Sequence, residues 1–162
     1  MDHRQNNRQR NADHDEPKSE FDQITVQTRR VTKVTQGAKR FRFSSIVVIG
    51  NRKGLVGAGI GKGSDPKSAI DKAAKNAKQN LIPVTMKGTT IPHVIEMDFG
   101  ASKVLLKPAA AGTGIIAGSS VRAVVELAGI KDIRGKILGS NNKVNNVYCT
   151  IKALSLLRDG RL

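Results

Sequence analysis

Residues 47–63 read Val-Val-Ile-Gly-Asn-Arg-Lys-Gly-Leu-Val-Gly-Ala-Gly-Ile-Gly-Lys-Gly. An apolar run breaks at Gly50, and five further glycines follow, interleaved with Arg52, Lys53 and Lys62. Glycines let backbone amides come close to a phosphate, and the cations neutralise it. Such a segment either holds a nucleotide or lies against a polynucleotide backbone. The spacing argues against the nucleotide. A Walker A loop needs a glycine five positions before the glycine of Gly-Lys and a Ser or Thr after the lysine. Here Gly61-Lys62 is followed by Gly63, and position 56 is valine. A dinucleotide fingerprint fails too, because Gly57-x-Gly59 meets Lys62 where its third glycine belongs. The run reads instead as strand, turn (Gly50–Gly54) and a glycine-weakened strand (Leu55–Gly61), its glycines permitting two strands, or a strand and RNA, to approach closely.

Working outward, Ile24, Val26 and Thr28 alternate on one side of a half-buried strand that starts near Phe21. Residues 35–40 supply a polar, glycine-bearing break, and Phe41 and Phe43 lead into the second strand. Downstream, Ser64-Asp65-Pro66 announces a helix, with Asp65 as cap and Pro66 at its first position. Ile70, Ala73, Ala74, Ala77 and Leu81 form its inner face, Lys67, Lys72, Lys75 and Lys78 lie outside, and Pro83 closes it. The first half is thus a β-β-β-α unit over 21–84.

The second half, 85–157, starts afresh. Thr90–Met97 and Ser102–Lys107 read as strands, and residues 108–118 as a small-residue loop. Ser119 or Ser120 can cap a helix that buries Val121, Val124, Val125 and Ala128 and stops at Gly129. Ile130–Leu138 is extended, and Val144, Val147, Tyr148, Ile151 and Leu154 mark a final helix. The expected fold class is α+β, two small domains, the second β-β-α-β-α. Residues 1–20, polar and almost without apolar side chains, read as a disordered tail, and 158–162 as a short one.

The 162 residues carry a formal charge of +15, distributed as −1 over 1–20, +10 over 21–84 and +6 over 85–162. With a pI near 10.5, an anionic partner is expected. One Tyr, four Phe and no Trp leave few rings for base stacking, so contact is expected to run through phosphates and shape. Cys149 is the only cysteine, which excludes an intrachain disulfide and a thiolate zinc cluster. Residues 1–20 hold no apolar leader core, and no stretch approaches the length of a membrane span, so neither secretion nor insertion is expected.

Catalytic groups are sparse. His93 is the one histidine beyond the N-terminal tail, and Glu96 and Asp98 are the closest acids in a strand. No nucleophile, base and orienting group occur together, so no enzymatic activity, cofactor or metal is expected. Gly112-Thr-Gly114-Ile-Ile-Ala-Gly118-Ser-Ser120, ahead of a helix, is the best phosphate-loop candidate. It resembles the phosphate loop of the galactokinase and mevalonate kinase superfamily, without that family's more central serines, and keeps a phosphotransferase as one alternative.

Taken in order, several segments resemble the family of protein five of the bacterial small ribosomal subunit. They are Arg30-Val-Thr-Lys33, Val47–Gly50 into Gly54–Lys62, Ala69–Ala73, Pro108–Gly118, Val121–Gly129 and Gly139–Asn142. The resemblance runs from about Phe21 to Leu157. It implies a first domain related to the double-stranded-RNA-binding fold without its leading helix, and a second domain of the left-handed β-α-β type. It implies binding to 16S rRNA in the cytoplasmic small subunit, between head and body and beside the mRNA entry path. The implied protein partners are small-subunit proteins four and eight, and with proteins four and twelve a role in decoding accuracy. The match to Thr32–Arg40 is the loop that the family extends toward the head. The segment Gly112–Arg122, with Gly112, Gly114 and Arg122, faces protein four.

Charge and resemblance together nominate Arg29, Arg30, Lys33, Lys39, Arg40 and Arg42 around the first loop. Asn51, Arg52 and Lys53 on the second turn, and Lys62 after the glycines, complete the RNA-binding candidates. Arg40 and Arg52 are expected to touch phosphate. Each alone reads as an ordinary solvated charge; the group points to RNA. A free-standing RNA-binding protein of the same fold remains the second alternative.

Overall fold

Alternating side chains along residues 22–63 produce an antiparallel meander of β1 (Asp22–Thr35), β2 (Ala38–Gly50) and β3 (Leu55–Gly63). The structure is a computed structural model that describes residues 20–158. The two expected tails lie outside the described residues except for Glu20 and Arg158. One face of the meander carries Val47 and Ile49 together with Gly57, Gly59 and Gly61, and lies under α1 (Pro66–Gln79). The helix buries Ala69, Ala73 and Ala77 there. Two strand residues advance about 6.7 Å and four helical residues about 6 Å, so glycine and alanine rows stay matched. A Cβ on Gly57, Gly59 or Gly61 would run into the carbonyl oxygens of Ala77, Ala73 and Ala69 respectively. The glycines therefore admit a helix backbone, which corrects the expectation that they admit a strand or RNA.

Three local expectations also change. A bulge between Thr25 and Gln27 shifts the register of β1, so Thr28 crosses to the α1 face and meets Ser45, hydroxyl to hydroxyl at 2.9 Å. Asp65 occupies the N-cap position with extended backbone, yet its carboxylate accepts from the Ser64 hydroxyl at 3.1 Å and caps no amide. Leu81 does not continue the helix. With Ile82 and Pro83 it forms β4 (Leu81–Pro83), which adds to β3 at the sheet edge, where proline is tolerated.

The second half contains β5 (Ile95–Phe99), β6 (Ser102–Pro108), β7 (Ile115–Ile116), α2 (Ser119–Ala128), β8 (Ile133–Ile137) and α3 (Lys143–Ser155). Its sheet runs β5-β6-β8-β7, antiparallel except for the β7/β8 pair. β7, α2 and β8 make a β-α-β crossover. The two-residue β7 is too short for any periodicity to reveal. The strand expected from Thr90 begins only at Ile95, because Lys87 and Thr90 close a turn upstream. Gly118, not a serine, is the N-cap of α2, whereas Gly129 ends it in the left-handed region at φ 94° as expected. Asn142 caps α3 by accepting from the Val144 amide at 3.2 Å.

The other face of the first sheet is also covered. Ile46, Val48, Val56 and Ala58 share one buried cluster with Val121, Val124, Val125 and Leu127 of α2 and Val147 and Leu154 of α3. The turn after β2 is pinned to the end of α2: the Arg52 amide donates to Leu127 O and the Gly54 amide to Ala128 O, both at 2.9 Å. A Cβ on Gly129 would strike the Arg52 carbonyl, and one on Gly50 the Leu127 carbonyl. The two halves therefore meet backbone to backbone.

Gly59→Ala should destabilise the protein by about 2 kcal/mol or more, because neither backbone can give way without disturbing its neighbours. Thermal unfolding followed by circular dichroism should show Tm lowered by roughly 5 °C or more. An unchanged Tm would mean that α1 can lift off the sheet at no cost.

Candidate nucleic-acid interface

β1 and β2 outrun the rest of their sheet. β3 pairs with β2 only as far as Phe43↔Gly63, while the β1/β2 pairing continues to Thr35↔Ala38. The result is a two-stranded ribbon whose register sorts its side chains onto two faces. The pairs Arg29↔Ser44, Val31↔Arg42 and Lys33↔Arg40 put four cations on the face that looks toward α3. Lys62 joins them, opposite Ser44 on β3. A cleft of about 580 Å³ at this end is lined by Val31, Thr32, Lys33, Thr35, Arg40 and Arg42. A smaller groove that shares Val31 lies between Arg29, Ser44 and Ile60 on the sheet and Asn142 and Val144 at the start of α3. No Asp or Glu occurs between Asp22 and Asp65, so nothing local to the ribbon neutralises this face.

Arg30 and Lys39 stand on the opposite face, paired with Phe43 and Val34. The Arg30 guanidinium lies over the Phe41 ring, 3.7 Å from its centroid. Thus the structure brings Arg29, Lys33, Arg40, Arg42 and Lys62 together and sets Arg30 and Lys39 apart.

Asn51, Arg52 and Lys53 lie at the far end of β2, nine residues from Arg42 and so roughly 30 Å away. The Asn51 carboxamide oxygen accepts from the Lys53 and Leu55 amides at 2.8 and 3.0 Å, which builds the turn. Arg52 holds a left-handed φ of 55°, its Nε 2.8 Å from Asp22 Oδ2 and Nη2 4.0 Å from Glu126 Oε1. A phosphate at Arg52 would compete with two carboxylates. Lys53 is exposed beside it.

Gly112 and Gly114 take left-handed φ values of 87° and 76° in an exposed loop ahead of β7. Its organiser is Asp132, a buried carboxylate absent from the sequence-based candidates. Gly114 N donates to Asp132 Oδ1 at 2.9 Å. That bond first, then the Thr89 hydroxyl and the Gly112 and Thr113 amides, hold the Asp132 carboxyl below its ordinary value. An acid next to Ile133, in the segment Ile130-Lys131-Asp132-Ile133 between helix and strand, was the available signal. Because the loop amides already face a carboxylate, a phosphate there would meet like charge, which argues against the phosphotransferase alternative. Arg122, on the outer side of α2, donates to Ile115 O at 2.9 Å.

Lys103 sits 2.9 Å from Glu96 and 3.7 Å from Asp98, and the Glu96 hydrogen bond leads in raising its pKa. His93 is exposed. Cys149 is buried, donates to Met97 O at 3.0 Å and has its pKa raised chiefly by that burial. Among the described residues, no group of three or more His, Cys, Asp or Glu side chains could hold a metal, and no helix is long and apolar enough to cross a membrane.

A carboxyl held below its unfolded value contributes stability that is present above about pH 4 and lost as pH falls through the folded pKa. Asp132→Asn should therefore flatten the loss of stability between pH 5 and pH 2, read by urea unfolding across that range. An unaltered profile would show that the charge of Asp132 does not secure the loop.

Comparison with known proteins gives the family of the chain. Residues 21–85 match the family model described as ribosomal protein S5, N-terminal domain, and residues 97–161 that described as ribosomal protein S5, C-terminal domain. Among curated proteins, small ribosomal subunit protein uS5 of Campylobacter jejuni is similar in strains 81-176, 81116 and RM1221. Each is 54% identical over 141 residues, covering 87% of this chain and 96% of the relative. Those two matched halves correspond to the meander with α1 and to the β-α-β sheet with its helices, and on these grounds the chain belongs to the ribosomal protein S5 family.

Proposed function

We propose that the chain is a structural, non-enzymatic component of the small ribosomal subunit that binds 16S rRNA in the cytoplasm. The observation that carries this reading is the single cationic face formed by Arg29, Lys33, Arg40, Arg42 and Lys62. Folded RNA presents dense phosphates, and a rigid β ribbon with long cations on one side can follow them without reading bases. Lys67 and Lys72, which would serve the usual double-stranded-RNA mode, lie exposed on α1, across the sheet from this face. The ribbon, rather than that helix, is the principal contact. Asn51, Arg52 and Lys53 make a second contact, with Lys53 carrying more of it than the ion-paired Arg52.

The finer placement follows the family resemblance. The distal ribbon, Thr32–Arg40, reaches toward the head while the joined core rests on the body, so the protein stabilises one relative to the other. Gly112, Gly114 and Arg122 meet protein four, supported by a loop that Asp132 holds in one shape and by Ile116, 55% exposed beside it. Protein eight and the mRNA entry path are the further neighbours, and with proteins four and twelve the chain supports decoding accuracy. The division of labour is then 21–84 toward RNA and 85–157 toward protein neighbours.

Arg40→Ala in the full chain should lower the slope of log K against log salt for a 16S rRNA transcript by roughly one unit. A slope unchanged from the unaltered protein would remove Arg40 from the phosphate contacts. Retention on small subunits sedimented through high salt should distinguish a ribosomal component from a free-standing RNA-binding protein, which would be left in the supernatant.

A further inference from the structure

We propose that the second face of the ribbon is a stacking platform for an unpaired nucleobase, formed by Arg30 and Phe41. This inference rests on the rRNA-binding reading and adds a different mode of contact to it. Phe41 stands directly opposite Thr32, and Arg30 opposite Phe43, so Arg30 and Phe41 are diagonal neighbours across the ribbon. The guanidinium lies 3.7 Å over the ring centroid, which orders both groups while leaving them at the surface. Phe41 is 47% exposed, and Val34, two residues beyond Thr32, is 70% exposed.

That exposure has a structural origin. β3 stops pairing at Gly63, so the distal ribbon has no third strand, and the sheet residues beneath α1 lie further back, at Val47 and Ile49. An apolar ring on an open two-stranded ribbon gains most from a flat partner. Guanidinium planes and aromatic rings are the two surfaces on which unstacked bases rest, independently of sequence. The surrounding charge selects an anionic partner: Arg30 and Lys39 share this face, and no acid lies between Asp22 and Asp65. Lys39, opposite Val34, is placed to meet the phosphate of the same nucleotide. The ribbon would then be gripped from both sides, phosphates along the Arg40 face and a splayed base on the Phe41 face.

The chain contains no Trp, so Phe41→Trp in the full protein introduces a single reporter ring. Its emission should be quenched by a 16S rRNA transcript and left unchanged by inorganic polyphosphate, which offers charge without bases. In parallel, Phe41→Leu, which keeps the apolar bulk, should weaken binding to that transcript by about tenfold with the salt slope unchanged. If Trp emission does not respond to RNA that binds, or Phe41→Leu binds as tightly as the unaltered chain, the platform is overturned. The phosphate-binding reading then survives, and the Phe41 face belongs to a protein neighbour. If the unaltered chain fails to bind the transcript at moderate salt, both readings fall together.

Discussion

Everything in this molecule depends on how closely the α1 backbone lies against β3. Ala69, Ala73 and Ala77 rest on Gly61, Gly59 and Gly57 with no room for a Cβ between them. That contact seals one face of the first sheet with little side-chain volume. Its other face, lined by Ile46, Val48, Val56 and Ala58, must then be buried elsewhere, and α2 and α3 supply the cover. Burying a valine or isoleucine side chain is worth about 1.5–3 kcal/mol, so Ile46, Val48 and Val56 hold the halves together firmly. The amide contacts of Arg52 and Gly54 with the end of α2 set the angle at which they join.

A sheet covered on both faces leaves only its overhanging end for other work. The β1/β2 ribbon projects beyond both layers, and its cations have no acids among them. At the opposite end of β2 the pattern differs: Arg52 meets Asp22 and Glu126, so its charge serves the junction between the halves as well as the surface. In the second half the same logic holds. The Gly112 loop looks like a phosphate cradle in sequence, but Asp132 occupies its donors from within.

Much of this was legible from residues alone. The meander, α1, the Gly129 stop of α2 and the family membership all follow from local signals: periodicity, proline and glycine positions, and ordered motifs. Other features were not. β4 and β7 are three and two residues long, below the reach of any period. Asp65 has the composition of a capping residue, yet the Ser64 hydroxyl competes for its carboxylate. Phe41 read as one more strand hydrophobe, because nothing in sequence shows that β3 stops pairing at Phe43 and leaves Phe41 on a two-stranded ribbon.

The bulge between Thr25 and Gln27 shows where the boundary falls. By itself, the sequence determined that the first half is a strongly basic sheet with a helix, and which cations flank its first turn. It could not determine which of them stand together, because side chains alternate with a period of two and one inserted residue exchanges the faces. With an unbroken register Arg30 would have stood opposite Arg42; in the structure Val31 does, and Arg29 and Lys33 join Arg40 and Arg42 while Arg30 turns to Phe41. Tertiary pairing decided that a scattered set of charges became one cationic face and a second face on which an arginine covers an aromatic ring.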